Sequence, residues 1–279
     1  MVYYKYAGKL GIKIIQDLRL KVTPPNEFND PFEATPRSRF TLTLSDMVNR
    51  AKTDPNYYRG VFDALKKNGQ TFENFIAELT KMLPVQFMRF APAMREELVK
   101  RDMKSINDVS EYFGLLCVSK TAKSIPMWSH YADSHRGIVI GLNLQNIGRA
   151  FGPFREVKYH TFRKTMNPWQ PLTSSEGFRN RLDLFFVKSK DWIYEQEYRR
   201  MFQLKKTIRG RPNKNGKSHS FVAIKRSDIL EIIFGCGIKS TLEKQVRAEL
   251  NRHPNAFRHV KLFRCKRHDT EFELELIKT

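Results

Sequence analysis

Cysteine is scarce in this chain, with Cys117, Cys236 and Cys265 an odd number and no CxxC spacing among them. No disulfide framework or cysteine-based zinc site can be read from that pattern, and it suits a reducing compartment. No uninterrupted apolar run reaches the roughly 18 residues of a membrane span. The opening MVYYKYAGKL lacks a long apolar signal core. The expectation is a soluble cytoplasmic protein with no membrane partner. Both glycine-rich phosphate signatures, GxGxxG and GxxxxGK[ST], are missing, which argues against a doubly wound dehydrogenase and a P-loop NTPase. Gly235-Cys236-Gly237 does not replace them. A GxSxG elbow is also absent, and Cys117 lies in an apolar run, so a Ser or Cys nucleophile has weak support. His130 and His135 have no acid partners at ligand spacing, so no metal is expected.

Acidic residues are few. The 279 residues hold 29 Asp+Glu against 50 Lys+Arg, a formal net charge of +21. Such a surface favours nucleic acid, because neutralising phosphates releases counterions. An acidic protein or an anionic membrane fits the same arithmetic. Hydrophobic residues at 41% and aromatics at 12% argue against disorder. The chain reads as a single α+β domain over 1–279, a largely β core interrupted by a helical insert at 41–113.

The pattern along the chain supports that division. Val2–Tyr6 suits a strand with Tyr4 and Tyr6 on one face and Lys5 on the other. Ile12, Ile14, Ile15 and Leu18 suit a short buried helix, and Thr23-Pro24-Pro25-Asn26 forces a turn. Helical spacing dominates 44–113, as in Phe72, Phe75, Ile76, Leu79 and Met82. Strands are predicted at 114–119, 137–142, 155–159, 192–202, 229–234, 260–264 and 271–277. Residues 161–181 read as loop and helix start, and Pro126–Ala132 as a helical turn. Ser240-x-x-Glu243 is a capping box that opens a helix closed by Pro254. The basic stretch 204–219 reads as an exposed loop.

Several clusters carry chemistry. In Tyr194-Glu195-Gln196-Glu197-Tyr198-Arg199, strand alternation puts both carboxylates and Arg199 on one face. Two acids so close raise one another's pKa unless a cation intervenes. The plain alternative is a solvated face bridged by Arg199. Trp128 and Tyr131, three apart on a helix, could stack on a flat ring or could be core aromatics. Asn29-Asp30-Pro31-Phe32-Glu33 could instead hold its own backbone in a turn.

The order YKY, FNDPFE, LCVSK…PMWSHYAD…GIVIGL and WIYEQEYR resembles a bacterial family known as a domain of unknown function. That family is similar to the ADP-ribosyltransferases, close to DarT-like toxins and mRNA-modifying phage-defence toxins. The resemblance spans 3–40 and 114–240. It implies an ADP-ribosyltransferase-like split β core that consumes NAD without metal. One of Tyr4, Lys5 and Tyr6 would contact the nicotinamide ribose, standing where related enzymes carry His or Arg. Asn29, Asp30, Ser119, Trp128, Ser129 and Tyr131 would complete the NAD pocket. Glu197 would hold the ribose 2′-OH, and Glu195 would orient or deprotonate the target.

The resulting expectation is an NAD-dependent ADP-ribosyltransferase toxin that modifies single-stranded RNA or DNA, in phage defence or a toxin–antitoxin system with a protein antitoxin. Lys205, Lys206, Arg209, Arg211, Lys214 and Lys217 would track phosphates. Two alternatives stay open: the same transferase acting on protein, or an inactive nucleic-acid-binding module. A magnesium-dependent nuclease built on the same glutamates is a further competitor.

Overall fold

The computed structural model describes residues 1–35, 37–38, 69–75, 106–145, 150–166 and 182–279, with a few isolated residues besides. The chain divides into two compact units, one of residues 1–35, 106–163 and 181–279 and the other of 36–105 and 164–180. Most of the helical insert predicted at 41–113, and most of the loop predicted at 161–181, fall outside the described residues. Residues 72–75 and 106–112 are helical.

In chain order the strands and helices of the first unit begin with β1 (Tyr3–Ala7), α1 (Ile12–Asp17) and β2 (Arg19–Val22). The second unit contributes β3 (Arg37–Ser38). Then follow β4 (Phe113–Ser119), α2 (Ile125–Tyr131), β5 (Ile138–Leu142), β6 (Phe151–Glu156) and β7 (Lys158–His160). In the second unit β8 (Thr165–Met166) pairs in parallel with β3. The first unit resumes with β9 (Val187–Ser189), β10 (Glu197–Gln203), β11 (Ile208–Arg209), β12 (Ser220–Ala223) and β13 (Ile229–Phe234). It ends with α3 (Ser240–Arg252), α4 (Pro254–Phe257), β14 (Lys261–Arg267) and β15 (Leu274–Lys278).

Eight strands form one sheet in the order β15-β14-β13-β5-β1-β4-β10-β6. Neighbours are antiparallel except β13 and β14, which run parallel across the α3–α4 connection. The architecture is mixed α+β. Strand β5 is buried at every residue because both sheet faces are covered. Ile138, Ile140 and Leu142 enter a core with Ile15 of α1, Val246 of α3, and Leu20 and Val222 of the small β11-β12-β2 sheet. Val139 points the other way, to Tyr6 and Trp128.

Helix α2 starts where Ser124 Oγ accepts from the Met127 amide and Pro126 occupies the first turn. It ends in three consecutive left-handed residues, Asp133, Ser134 and His135, with φ of 51°, 53° and 63°. The Trp128 carbonyl holds this turn by accepting from His135 N at 3.1 Å. Gly137 follows because a Cβ there would lie 2.2 Å from the Ala7 carbonyl oxygen.

Three sequence expectations need correction. Residues 192–202 are not one strand: Lys190–Glu195 is a 3-10 helix capped by Ser189, and Gln196 turns left-handed at φ 44° before β10. The predicted 155–159 strand is two pieces, broken at buried Val157, whose amide donates to the Glu197 carbonyl at 2.9 Å. β7 then leaves the large sheet and pairs with β9. Ser240 and Glu243 make no capping box, because Glu243 is bound by Arg247 and Arg264 instead.

Trp128 is fully enclosed, its indole N–H donating to the Ala122 carbonyl at 2.8 Å and its ring edge-on to Tyr6. Trp128→Ala is expected to cost about 3–5 kcal/mol. Urea unfolding checks this; an unchanged midpoint contradicts the packing role.

Candidate functional site

Strands β1 and β4 are neighbours in the sheet yet pair at one position, Tyr4 opposite Ser119. Beyond it Lys5 and Tyr6 on one side, and Cys117 and Val118 on the other, line a cleft of about 310 Å³. Lys5 reaches over to donate its Nζ to the Cys117 carbonyl at 2.8 Å. On the far side of β4, β10 keeps full register, with Glu197 opposite Ser119 and Arg199 opposite Cys117. Glu197 and Arg199 alternate onto the cleft side of that strand, and both line the cleft.

A buried ionic network forms the cleft wall. Arg199, 1% exposed, donates from Nε and Nη2 to the two oxygens of Glu197 at 2.8 and 2.7 Å, and also contacts Glu33. Its Nη1 donates to the Phe185 carbonyl at 2.8 Å. Lys188 lies 2.7 Å from Glu195 and 3.5 Å from both Glu33 and Glu197. Tyr131 completes the set, its hydroxyl donating to Glu195 Oε1 at 2.8 Å and accepting from Asn29 Nδ2 at 3.2 Å. The alternative of a solvated Arg-bridged face is thus half right: the bridge exists, but it is buried.

Glu195 reaches this network by a route other than strand alternation. The left-handed Gln196 swings it in from the 3-10 turn, and Ser119 Oγ fixes it by donating to the Glu195 carbonyl at 2.6 Å. The Glu197 amide is held in turn by Tyr159, whose hydroxyl oxygen accepts from it at 2.8 Å.

Burial pushes the Glu197 carboxyl up to about 7, Glu195 adds to the rise and Lys188 opposes it. The two-point contact with Arg199 also favours the ionised form. Burial pulls Lys188 down, but Glu197 and Glu195 more than reverse that and hold it as an ammonium. Burial lowers Arg199 to about 9, so it stays cationic at neutral pH.

Of the residues predicted for cofactor binding, Tyr4, Lys5, Tyr6, Asn29, Ser119 and Tyr131 line the cleft together with Glu195 and Glu197. Within the first strand, Tyr6 spends its hydroxyl on the Thr121 carbonyl and Tyr4 on Glu231. Trp128 is a correction: enclosed in the core, it has no ring face free for stacking on a ligand. Ser129 is another. Two residues from Tyr131, it sits about 200° around the helix, and its hydroxyl donates to the Ile125 carbonyl. Asp30 does not line the cleft; its Oδ1 accepts from the Phe32 amide in a turn that presents Glu33.

Sequence reasoning missed Lys188, Glu33, Lys21, Thr23, Glu27 and Phe28, all in the cleft wall. Lys188 had a readable signal: a lone lysine at the end of the apolar run Leu184-Phe185-Phe186-Val187. Outside the cleft, Lys205, Lys206, Arg209, Arg211, Lys214 and Lys217 are all exposed. They run along β11 and a turn built on Asn213 Oδ1, which accepts from the amides of Asn215 and Lys217. Among the described residues no group of three or more His, Cys, Asp or Glu could hold a metal ion. None of the described helices is long and apolar enough to cross a membrane.

The raised Glu197 carboxyl has a consequence for stability. The folded chain keeps a proton that the unfolded chain releases near the ordinary value of 4.5. The Glu197 contribution is therefore full below that value and is lost as pH climbs through about 7. Glu197→Gln is expected to flatten this part of the stability–pH curve, checked by denaturant unfolding from pH 4 to pH 8. Parallel curves for the two proteins contradict it.

Comparison with known proteins comes to one partial match. A family model described as "Protein of unknown function (DUF2971)" matches residues 127–200, the stretch holding the MWSHYA motif and both Glu195 and Glu197. No curated protein and no solved structure matches the chain. The labels ADP-ribosyltransferase, toxin and phage defence implied by the sequence resemblance are corrected accordingly, since the matched family carries no assigned activity.

Proposed function

We propose that the cleft is the active site of an enzyme that cleaves the N-glycosidic bond of a ribosyl nucleotide, with NAD the expected substrate and nucleic acid or water the acceptor. The observation that carries this reading is the burial of Glu195 and Glu197 side by side in an open cleft, Glu195 hydrogen-bonded by Tyr131, Glu197 by Arg199, and Lys188 shared between them. Cleaving the ribosyl–nicotinamide bond sends its electron pair to the ring nitrogen and leaves an oxocarbenium-like ribose. A fixed carboxylate stabilises that charge without reorganising at the moment of reaction. Glu197, clamped by Arg199, suits this role. Glu195, oriented by hydrogen bonds from the Tyr131 hydroxyl and the Lys188 ammonium, suits receipt of the acceptor's proton.

The cleft volume falls in the range of small-molecule sites. Phe28, Met127 and Tyr131 give it an apolar wall suited to a flat ring, and Lys5 and Lys21 suit the anionic part of a nucleotide. The exposed basic stretch from Lys205 to Lys217 and the net charge of +21 favour nucleic acid as the acceptor.

A second reading, a binding module without turnover, is favoured by the degree to which the network satisfies itself: both oxygens of Glu197 are taken by Arg199. Release of free nicotinamide from NAD, with and without single-stranded RNA or DNA, separates the two. The expected result is turnover that drops on the order of 10²–10³-fold in Glu197→Gln, assayed below the melting temperature of the variant so that the loss is read from folded protein. Nucleotide binding with no release in the parent protein selects the binding module.

A further inference from the structure

Glu27 is flanked by two ammonium groups and an imidazole. Lys217 Nζ lies 3.2 Å from its Oε1, while Lys21 Nζ at 3.4 Å and His219 Nδ1 at 4.0 Å face its Oε2. These groups come from three segments: Lys21 from β2, Glu27 from the 3-10 turn Pro25–Glu27, and Lys217 and His219 from the connection into β12. Pairing of β2 with β12, Lys21 opposite Phe221, brings them together. The carboxylate side chain is 17% exposed, less than the 39%, 52% and 36% of Lys21, Lys217 and His219. His219 Nδ1 is enclosed and has no hydrogen-bond partner.

The position of this cluster gives it a use. Glu27 and Lys21 line the cleft that holds Glu195 and Glu197, as do Thr23 and Lys5. Lys217 closes the exposed basic stretch that begins at Lys205. Positive groups therefore run from the protein surface into the cleft, and their inward end meets one monovalent carboxylate. Two ammonium groups and an imidazole offer more donors than that carboxylate can satisfy, whereas a diphosphate or a run of backbone phosphates carries more charge and more acceptor oxygens.

We infer that the mouth of the cleft is a phosphate subsite in which Glu27 holds the anion position of the free protein, and that a phosphate group of the ligand displaces it. The inference rests on the nucleotide reading of the cleft only in naming the ligand. The phosphate could belong to the diphosphate of a nucleotide or to a nucleic-acid backbone, since both present the same oxygens to Lys21, Lys217 and His219.

Calorimetric titration of the whole protein with ADP and with adenosine tests it, using the parent chain, Lys21→Gln, Lys217→Gln and Glu27→Gln, each checked for an unchanged melting temperature. ADP is expected to bind at least about tenfold more tightly than adenosine, a ratio that either lysine variant cuts by about tenfold. Glu27→Gln is expected to strengthen ADP binding severalfold and leave adenosine unchanged, the opposite sign to the lysine variants. Competition between ADP and a short oligothymidylate identifies the backbone as a second source; additive binding restricts the subsite to nucleotides. Equal affinities for ADP and adenosine in the parent protein, or weaker ADP binding in Glu27→Gln, overturn the subsite. These titrations need no turnover, so absent nicotinamide release with ADP discrimination intact removes the glycosidic reading alone. Release without discrimination removes the subsite alone.

Discussion

A guanidinium cannot be buried alone, and Arg199 is almost completely enclosed. Its place in the structure therefore obliges Glu197 and Glu33 to be where they are, and three carboxylates gathered so closely oblige Lys188 to lie among them. The network ties the turn after Asp30, strand β9, the 3-10 turn before Gln196 and strand β10 into one arrangement. Removing a single member of such a network commonly costs 3–5 kcal/mol, because its partners are left charged and unpaired. Apolar residues of similar volume could often supply equal stability. What the ions add is a polar wall of fixed geometry facing the cleft.

The cleft itself follows from an interruption in the large sheet. Where β1 and β4 stop pairing, backbone groups lose their ladder partners, and buried polar backbone needs replacements. Lys5 supplies one at the Cys117 carbonyl, and around the same cleft Ser119 serves the Glu195 carbonyl and Tyr159 the Glu197 amide. Each of these residues thus has a duty to the backbone in addition to any it has toward a ligand, and the opening is a stable part of the fold.

Much of this was legible in the sequence where local periodicity governs. The apolar runs at Leu115–Val118 and Ile138–Leu142 are strands because both sheet faces are covered, and Pro126 with Ser124 marks the start of α2. The pairing of Glu195 with Glu197 was legible too, although for the wrong geometric reason. Alternation assumed an extended chain, whereas the left-handed Gln196 performs the turn, and nothing in a glutamine announces a positive φ. Partners distant in sequence were not legible. Glu33 looks like one more polar residue of a turn until Arg199, 166 residues away, is seen against it. Trp128 illustrates the converse error: the sequence shows an aromatic ring, and only the enclosing core shows that it has no face left for a ligand.

The central position of β1 also bears on how the molecule assembles. Its neighbours β4 and β5 come much later in the chain, and the contact of Lys5 with Cys117 closes a loop of 112 residues. Closure entropy must be met before such contacts return any stability, so native states rich in them form slowly. Until β4 and β5 are available, the half-apolar Tyr3–Ala7 segment has no edge to join. The sheet therefore depends on contacts between segments distant in the chain, and the acidic wall and the gap beside it depend on the same contacts.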